Sequence, residues 1–183
     1  MKQLKTAIAF SKSLFTTGAL YETSKKVEKE ICTKLPTGED KVVVEYGMGH
    51  GNITKEILKN LSPTSTLYAF EVNKEFCEHV AKEINDPRLV IVNDGAQNLR
   101  KHVNGPVHGF VSSIPFTFFS KELAAAILNG SYDALEEGYY FCQILYSKLH
   151  YKRFKSVFTN VRLRRFFGFP MEYIYHCEKS KAA

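Results

Sequence analysis

The stretch with the clearest chemical meaning is Glu45-Tyr46-Gly47-Met48-Gly49-His50-Gly51, three glycines at alternate positions directly after a β-branched run. Glycines so spaced let a backbone turn tightly and approach a ligand without Cβ interference. The loop also opens a helix, whose first amides favour an anionic group such as a carboxylate. Glu71, followed by Val72, ends the next apolar run 20 residues beyond Gly51. A carboxylate there can accept hydrogen bonds from both hydroxyls of a ribose, and it disfavours a 2′-phosphate. Asp94-Gly95-Ala96 follows a third run. Three such strand ends are where a doubly wound sheet binds a nucleoside cofactor. The spacing is G-x-G-x-G, not the G-x-G-x-x-G of nicotinamide or flavin proteins. Ser112-Ser113-Ile114-Pro115-Phe116 closes a fourth run. Proline there breaks the ladder and should free the carbonyls of Ser113 and Ile114. Free carbonyls can receive an N–H from an amine and aim its lone pair. Phe116, with Phe118 and Phe119, could offer a π face to an ammonium, although Phe118 and Phe119 equally suit a core.

Positioning these residues takes an alternation of strands and helices. Strands are expected over 41–46, 66–72, 88–93, 107–113 and 138–146, with one or two more over 161–177 around Pro170. Helices are expected over 21–35, 52–61, 74–84 and 120–129, the first ended by Leu35-Pro36-Thr37-Gly38. This order implies an α/β fold: a Rossmann-like, doubly wound, mostly parallel seven-stranded sheet. Ahead of it, Leu4, Ala7, Ile8, Phe10, Leu14 and Phe15 share one arc of a helix, with Lys2, Lys5 and Lys12 opposite. That N-terminal amphipathic helix, residues 1–20, could pack on the domain or lie in a membrane interface.

The chain has 183 residues, which fits a single domain over 1–183. No apolar run approaches the roughly 20 residues of a membrane span, and Lys5 and Lys12 interrupt any secretory h-region. Cys32, Cys77, Cys142 and Cys177 form no C-x-x-C pair, which argues against a metal cluster or disulfide framework and for a reducing cytoplasm. The net charge of +6 is unevenly placed. No acid occurs between Glu137 and Glu172, where Lys148, Lys152, Arg153, Lys155, Arg162, Arg164 and Arg165 interleave with aromatics. The first 21 residues are also free of acid. Two basic ends therefore flank an acidic centre, which suits an anionic membrane surface or nucleic acid.

The glycine loop with its three acids resembles class I S-adenosylmethionine-dependent methyltransferases. The resemblance implies that Tyr46, Gly47, Met48, Gly49 and Gly51 line the amino-acid end of S-adenosyl-L-methionine, with Glu45 organising the loop. It places Glu71 and Val72 at the ribose, Asp94, Gly95 and Ala96 at the adenine, and Ser112 among the cofactor contacts. Ser113, Ile114, Pro115 and Phe116 would meet the acceptor. That stretch is similar to the Asn-Leu-Pro-Tyr motif of adenine N6-dimethyltransferases, with Ser113 in place of asparagine. It is closer to the motif of the small bacterial phospholipid N-methyltransferases. The closer resemblance implies an aminolipid substrate such as phosphatidylethanolamine or ornithine lipid, with Tyr21 and Tyr146 contacting the headgroup. It also implies a cytoplasmic protein held peripherally on the inner membrane face through residues 1–15 and the basic C-terminal region. Met48, His50 and Leu20-Tyr21-Glu22 depart from that family's pattern. Two alternatives stay open: an RNA adenine N-methyltransferase, and a cofactor-binding peripheral membrane module without catalysis. No histidine is placed as a general base, so proximity and orientation are expected to carry the chemistry.

Overall fold

The β-branched run Val42-Val43-Val44 marks a parallel strand packed on both faces, where continuous apolar sequence is favoured; Leu89-Val90-Ile91-Val92 is as apolar but lies half-buried at the sheet edge. The computed structural model describes residues 23–168 and 170–181. The helix expected over 1–20, Tyr21 and Phe169 lie outside the described residues. Seven strands form one sheet: β1 (Val42–Tyr46), β2 (Thr66–Phe70), β3 (Leu89–Val92), β4 (Gly109–Ser112), β5 (Tyr140–Leu145), β6 (Asn160–Phe166) and β7 (Glu172–Glu178). Their order is β3-β2-β1-β4-β5-β7-β6. β1 to β5 are mutually parallel, and β7 runs antiparallel between β5 and β6. The sheet is thus the expected Rossmann-like, mostly parallel one.

The helices are α1 (Lys25–Ile31), α2 (Asn52–Asn60), α3 (Lys74–Glu83), α4 (Leu99–His102), α5 (Lys121–Ala134) and α6 (Tyr151–Lys155). Three begin on side-chain caps: Ser24 accepts from the Val27 amide, Asn73 from Glu75 and Ser120 from Leu123. One sheet face packs Tyr46, Phe110 and Phe141 against Leu99, Leu128 and Phe154 of α4, α5 and α6. The other packs Val43, Val111 and Ile144 against Val27, Ile31 and Ile57 of α1 and α2. Each large apolar side chain buried this way contributes roughly 1.5–3 kcal/mol. The aromatic layer of Phe110, Phe141 and Phe158 adds ring contacts at 5.6 Å.

Among the helices, one end and two short segments stand out against expectation. α5 continues through Asn129-Gly130 to Ala134, because Ser131 and Ala134 beyond the glycine are buried. Ser131 Oγ also donates to the Ile127 carbonyl and meets Tyr46 Oη at 3.1 Å, which offsets the roughly 1 kcal/mol that a mid-helix glycine costs. α4 and α6 were not anticipated; at four and five residues they are too short to show a helical period. Because β1–β5 run the same way, their carboxyl ends bring the loops after Tyr46, Phe70, Val92, Ser112 and Leu145 to one edge of the sheet.

Candidate active site

The turn after β1 is built from three glycines at positive φ, and at two of them an added Cβ would also press on packed neighbours. Gly47 has φ 79°, and a Cβ there would lie 3.0 Å from Ile114 Cγ2 and 3.1 Å from Ser113 Oγ. Gly51 has φ 82° and precedes α2, where a Cβ would lie 3.1 Å from Val80 and Ile84. No side chain among the described residues caps α2, and the first amides of such a helix end favour an anionic group. Met48, a departure in the sequence, is a core residue packed with Ala69, Cys77 and Val80. His50 sits with its ring 5.0 Å from Phe76 and 5.3 Å from His79.

Two buried carboxyls stabilise this loop. Glu45 accepts from Thr54 Oγ1 at 2.7 Å, tying β1 to α2. Burial pushes its pKa up to about 8, against the opposing Thr54 hydrogen bond. Glu71 Oε2 accepts from the Gly49 amide at 3.1 Å and Oε1 from the Asn73 amide at 2.8 Å. Burial raises its pKa, while the amides of Asn73, Gly49 and Val72 oppose the rise. Each oxygen keeps a further lone pair, so Glu71 can still accept from ribose hydroxyls while anchoring the loop.

Asp94 is more heavily engaged than expected. Oδ1 accepts from the Gly95 amide at 2.7 Å and Asn98 Nδ2 at 2.8 Å, and Oδ2 lies 2.8 Å from His102 Nε2. Burial alone would raise its pKa, but the hydrogen bonds from His102, Asn98 and Gly95 together hold it below the ordinary value. Asn98 and His102 escaped the sequence reading, although the Asp94, Asn98, His102 spacing of four repeats one helical turn. Ala96 is nearly buried beside Asp94. The open glycine loop, the uncapped helix end and the acceptor capacity of Glu71 and Asp94 fit S-adenosylmethionine: an anionic amino-acid end, ribose hydroxyls and an adenine amine.

The loop after β4 is fastened to the glycine loop. Ser113 Oγ donates to the Gly47 carbonyl at 2.7 Å, and the Ser113 amide donates to the Tyr46 carbonyl at 2.9 Å. Tyr46 contributes only backbone here, since its ring lies in the core against Phe70, Phe110 and Phe141. The expectation of two free carbonyls is corrected. The Ile114 carbonyl already accepts from the Phe116 amide at 3.0 Å and from Gln143 Nε2 at 3.0 Å, which leaves Ser113 to meet an acceptor N–H. The expectation for Phe116 is also corrected. Its ring is fully buried, 5.6 Å from those of Phe119 and Phe154, because Pro115 turns it inward; Phe118 is the exposed ring of the loop. Ser112 is buried, and its Oγ has no hydrogen-bond partner among the described residues. Thr117 Oγ1 lies 3.1 Å from His150 Nε2, so the loop after β5 closes against the acceptor loop. Tyr146 follows β5 at the same edge, with its pKa raised by burial and by Glu172.

The basic C-terminal stretch divides between internal and external roles. Arg164 bonds Glu30 at 2.6 Å, and Glu30 also meets buried His176 at 3.2 Å. Arg165 lies over Phe167 at 4.5 Å on the exposed side. Among the described residues no cluster suits a metal ion, and no helix is long and apolar enough to cross a membrane.

The sequence model for ribosomal RNA adenine dimethylase matches residues 11–137. A ribosomal RNA small subunit methyltransferase H from Christiangramia forsetii is 34% identical over 73 residues, covering 40% of this chain and 23% of that protein. The chain therefore matches about a quarter of that relative's length. A putative rRNA methylase from Clostridium thermocellum superimposes with a TM-score of 0.64 at 16% identity, covering 86% of this chain and 96% of that one. A putative methyltransferase from Streptococcus mutans, in complex with SAH, gives 0.67 at 13% identity, covering 86% and 99%. At these identities the structural likenesses speak for the fold.

Proposed function

The chain belongs to the ribosomal RNA adenine dimethylase family, and from that premise we propose that it is an S-adenosylmethionine-dependent methyltransferase acting on an adenine amine in RNA. The observation that carries this reading is the bond between Ser113 Oγ and the Gly47 carbonyl, which sets an acceptor loop directly against the cofactor loop. Bound S-adenosylmethionine supplies a methyl carbon activated by its sulfonium. The Ser113 carbonyl accepts one N–H of the acceptor amine and aims the nitrogen lone pair in line. Transfer of that methyl would break its C–S bond, and the acceptor nitrogen's proton would leave to solvent. Holding both partners in this geometry supplies most of the acceleration, because the chain brings them together before reaction. The exposed Arg165, stacked over Phe167, suits an RNA backbone and its bases.

One observation favours a second reading, an aminolipid acceptor at a membrane surface. Phe118, Tyr146, Leu149 and Phe167 are 53%, 54%, 86% and 78% exposed, and all follow the carboxyl ends of β4, β5 or β6. An apolar rim around the acceptor loop suits a lipid interface, and Ser113 replaces the asparagine of the adenine enzymes. Methyl-labelled S-adenosylmethionine, offered in parallel with unmodified ribosomal RNA and phosphatidylethanolamine vesicles, separates the two. Label in RNA supports the main reading, and label in lipid alone replaces it with the second.

A further inference from the structure

The strand beside the acceptor loop carries a buried amide that the proposed function leaves without a role. Gln143 lies on β5 in register with Ser112 of β4 and is fully buried. Its Nε2 donates to the Ile114 carbonyl at 3.0 Å and to the Ile144 carbonyl at 2.7 Å. These two carbonyls fix the amide's orientation, because the flipped group would set its oxygen against both of them. In the observed orientation Gln143 Oε1 has no hydrogen-bond partner among the described residues.

As a stability device this is poor. A buried amide oxygen is left unpaired, and an apolar side chain of similar length would fill the space without that penalty. What the amide alone does is hold the Ile114 carbonyl. Together with the Phe116 amide it occupies that carbonyl fully, while Ser113 Oγ fastens the neighbouring residue to Gly47. The acceptor loop is then gripped from β5 on one side and from the glycine loop on the other.

We propose that Gln143 is a positioning residue for methyl transfer, clamping the Ile114 carbonyl so that the Ser113 carbonyl is presented to the acceptor amine. The inference rests on reading Ser113–Phe116 as the acceptor loop.

Two variants of the full chain test it. Gln143→Met removes both donors and the unpaired oxygen while keeping volume. It should lower kcat about tenfold, leaving KM for S-adenosylmethionine and the SAH dissociation constant within about twofold. Hydrogen exchange at the Phe116 amide, which shares the Ile114 carbonyl, should rise about tenfold with SAH bound. Gln143→Glu can donate only when protonated. Its kcat should recover toward acid and fall as pH rises through the buried carboxyl's pKa, a profile that wild type lacks. Wild-type kcat and unchanged Phe116 exchange in Gln143→Met would overturn the proposal, as would a loss of kcat that merely tracks cofactor affinity. If Gln143→Met does not fold, the pH profile of Gln143→Glu decides, and a profile parallel to wild type overturns the clamp. If wild type methylates neither RNA nor aminolipid, the functional reading fails by itself. Phe116 exchange in the SAH complex, compared for Gln143→Glu between acid and alkaline pH and for Gln143→Met, still decides on the clamp.

Discussion

Replacing Gly47 by alanine strikes the junction between the cofactor and acceptor loops. The backbone there has φ 79°, and the new Cβ would lie 3.0 Å from Ile114 Cγ2 and 3.1 Å from Ser113 Oγ. A β-carbon in the left-handed region costs about 1–2 kcal/mol. Forcing apart packed neighbours adds about 1–3 kcal/mol. The sum, roughly 2–5 kcal/mol, lowers the thermal midpoint of a chain this size by about 4–20 °C. Ser113 must also move, weakening its 2.7 Å bond to the Gly47 carbonyl, so transfer should fall even in the folded fraction. Gly49→Ala is the matched control. Its φ is 54°, but nothing lies within 4 Å of the added carbon, so only the backbone cost of about 1–2 kcal/mol applies. The Gly49 Cβ instead enters the open side of the loop, and its main effect should be on SAH affinity. Thermal unfolding and SAH titration calorimetry on both variants separate these effects. Equal midpoints for the two, with transfer by Gly47→Ala intact, would refute the reasoning.

Stability should also follow the buried acids. Burial raises Glu45 to about 8 and raises Glu71 as well, from an ordinary value of 4.5. A carboxyl with a raised folded-state pKa keeps its proton longer in the native protein. Its stabilisation is therefore full below the unfolded value and is lost as pH rises through the folded one. Midpoints should fall between about pH 5 and pH 8, and Glu45→Gln should flatten that slope. Asp94→Ala removes three hydrogen bonds at the adenine end and should weaken SAH binding by at least about tenfold in calorimetry, whereas His102→Ala, which only braces Asp94, should cost a few-fold. Arg165→Ala should reduce the slope of log K against log salt for RNA binding by about one, with SAH affinity unchanged. An unchanged slope would place the RNA path elsewhere.

What the sequence made legible is what local patterning controls. The β-branched runs and the alternate glycines announced the parallel strands and the cofactor turn, because burial on both faces and a positive φ each demand particular residue types. The insertion of β7 between β5 and β6 carries no local signal, since antiparallel return depends on which edge is free. Phe116 and Phe118 illustrate the same limit at the site: two residues apart in one turn, their inward and outward directions are set by Pro115 and by Phe154 on a distant helix. The Gln143 contact with Ile114 spans 29 positions and likewise has no local pattern. The basic run looks uniform in sequence, yet Arg164 pairs with Glu30 on the α1 side of the sheet while Arg165 lies over Phe167 on the other side, as alternation along β6 requires.

Nucleoside mass analysis of RNA incubated with the purified protein and methyl-labelled S-adenosylmethionine reads the acceptor directly. Label is expected in N6-methylated adenosine, strongly reduced by Ser113→Ala and Asp94→Ala. RNA without label, under conditions where the protein binds SAH, would contradict it.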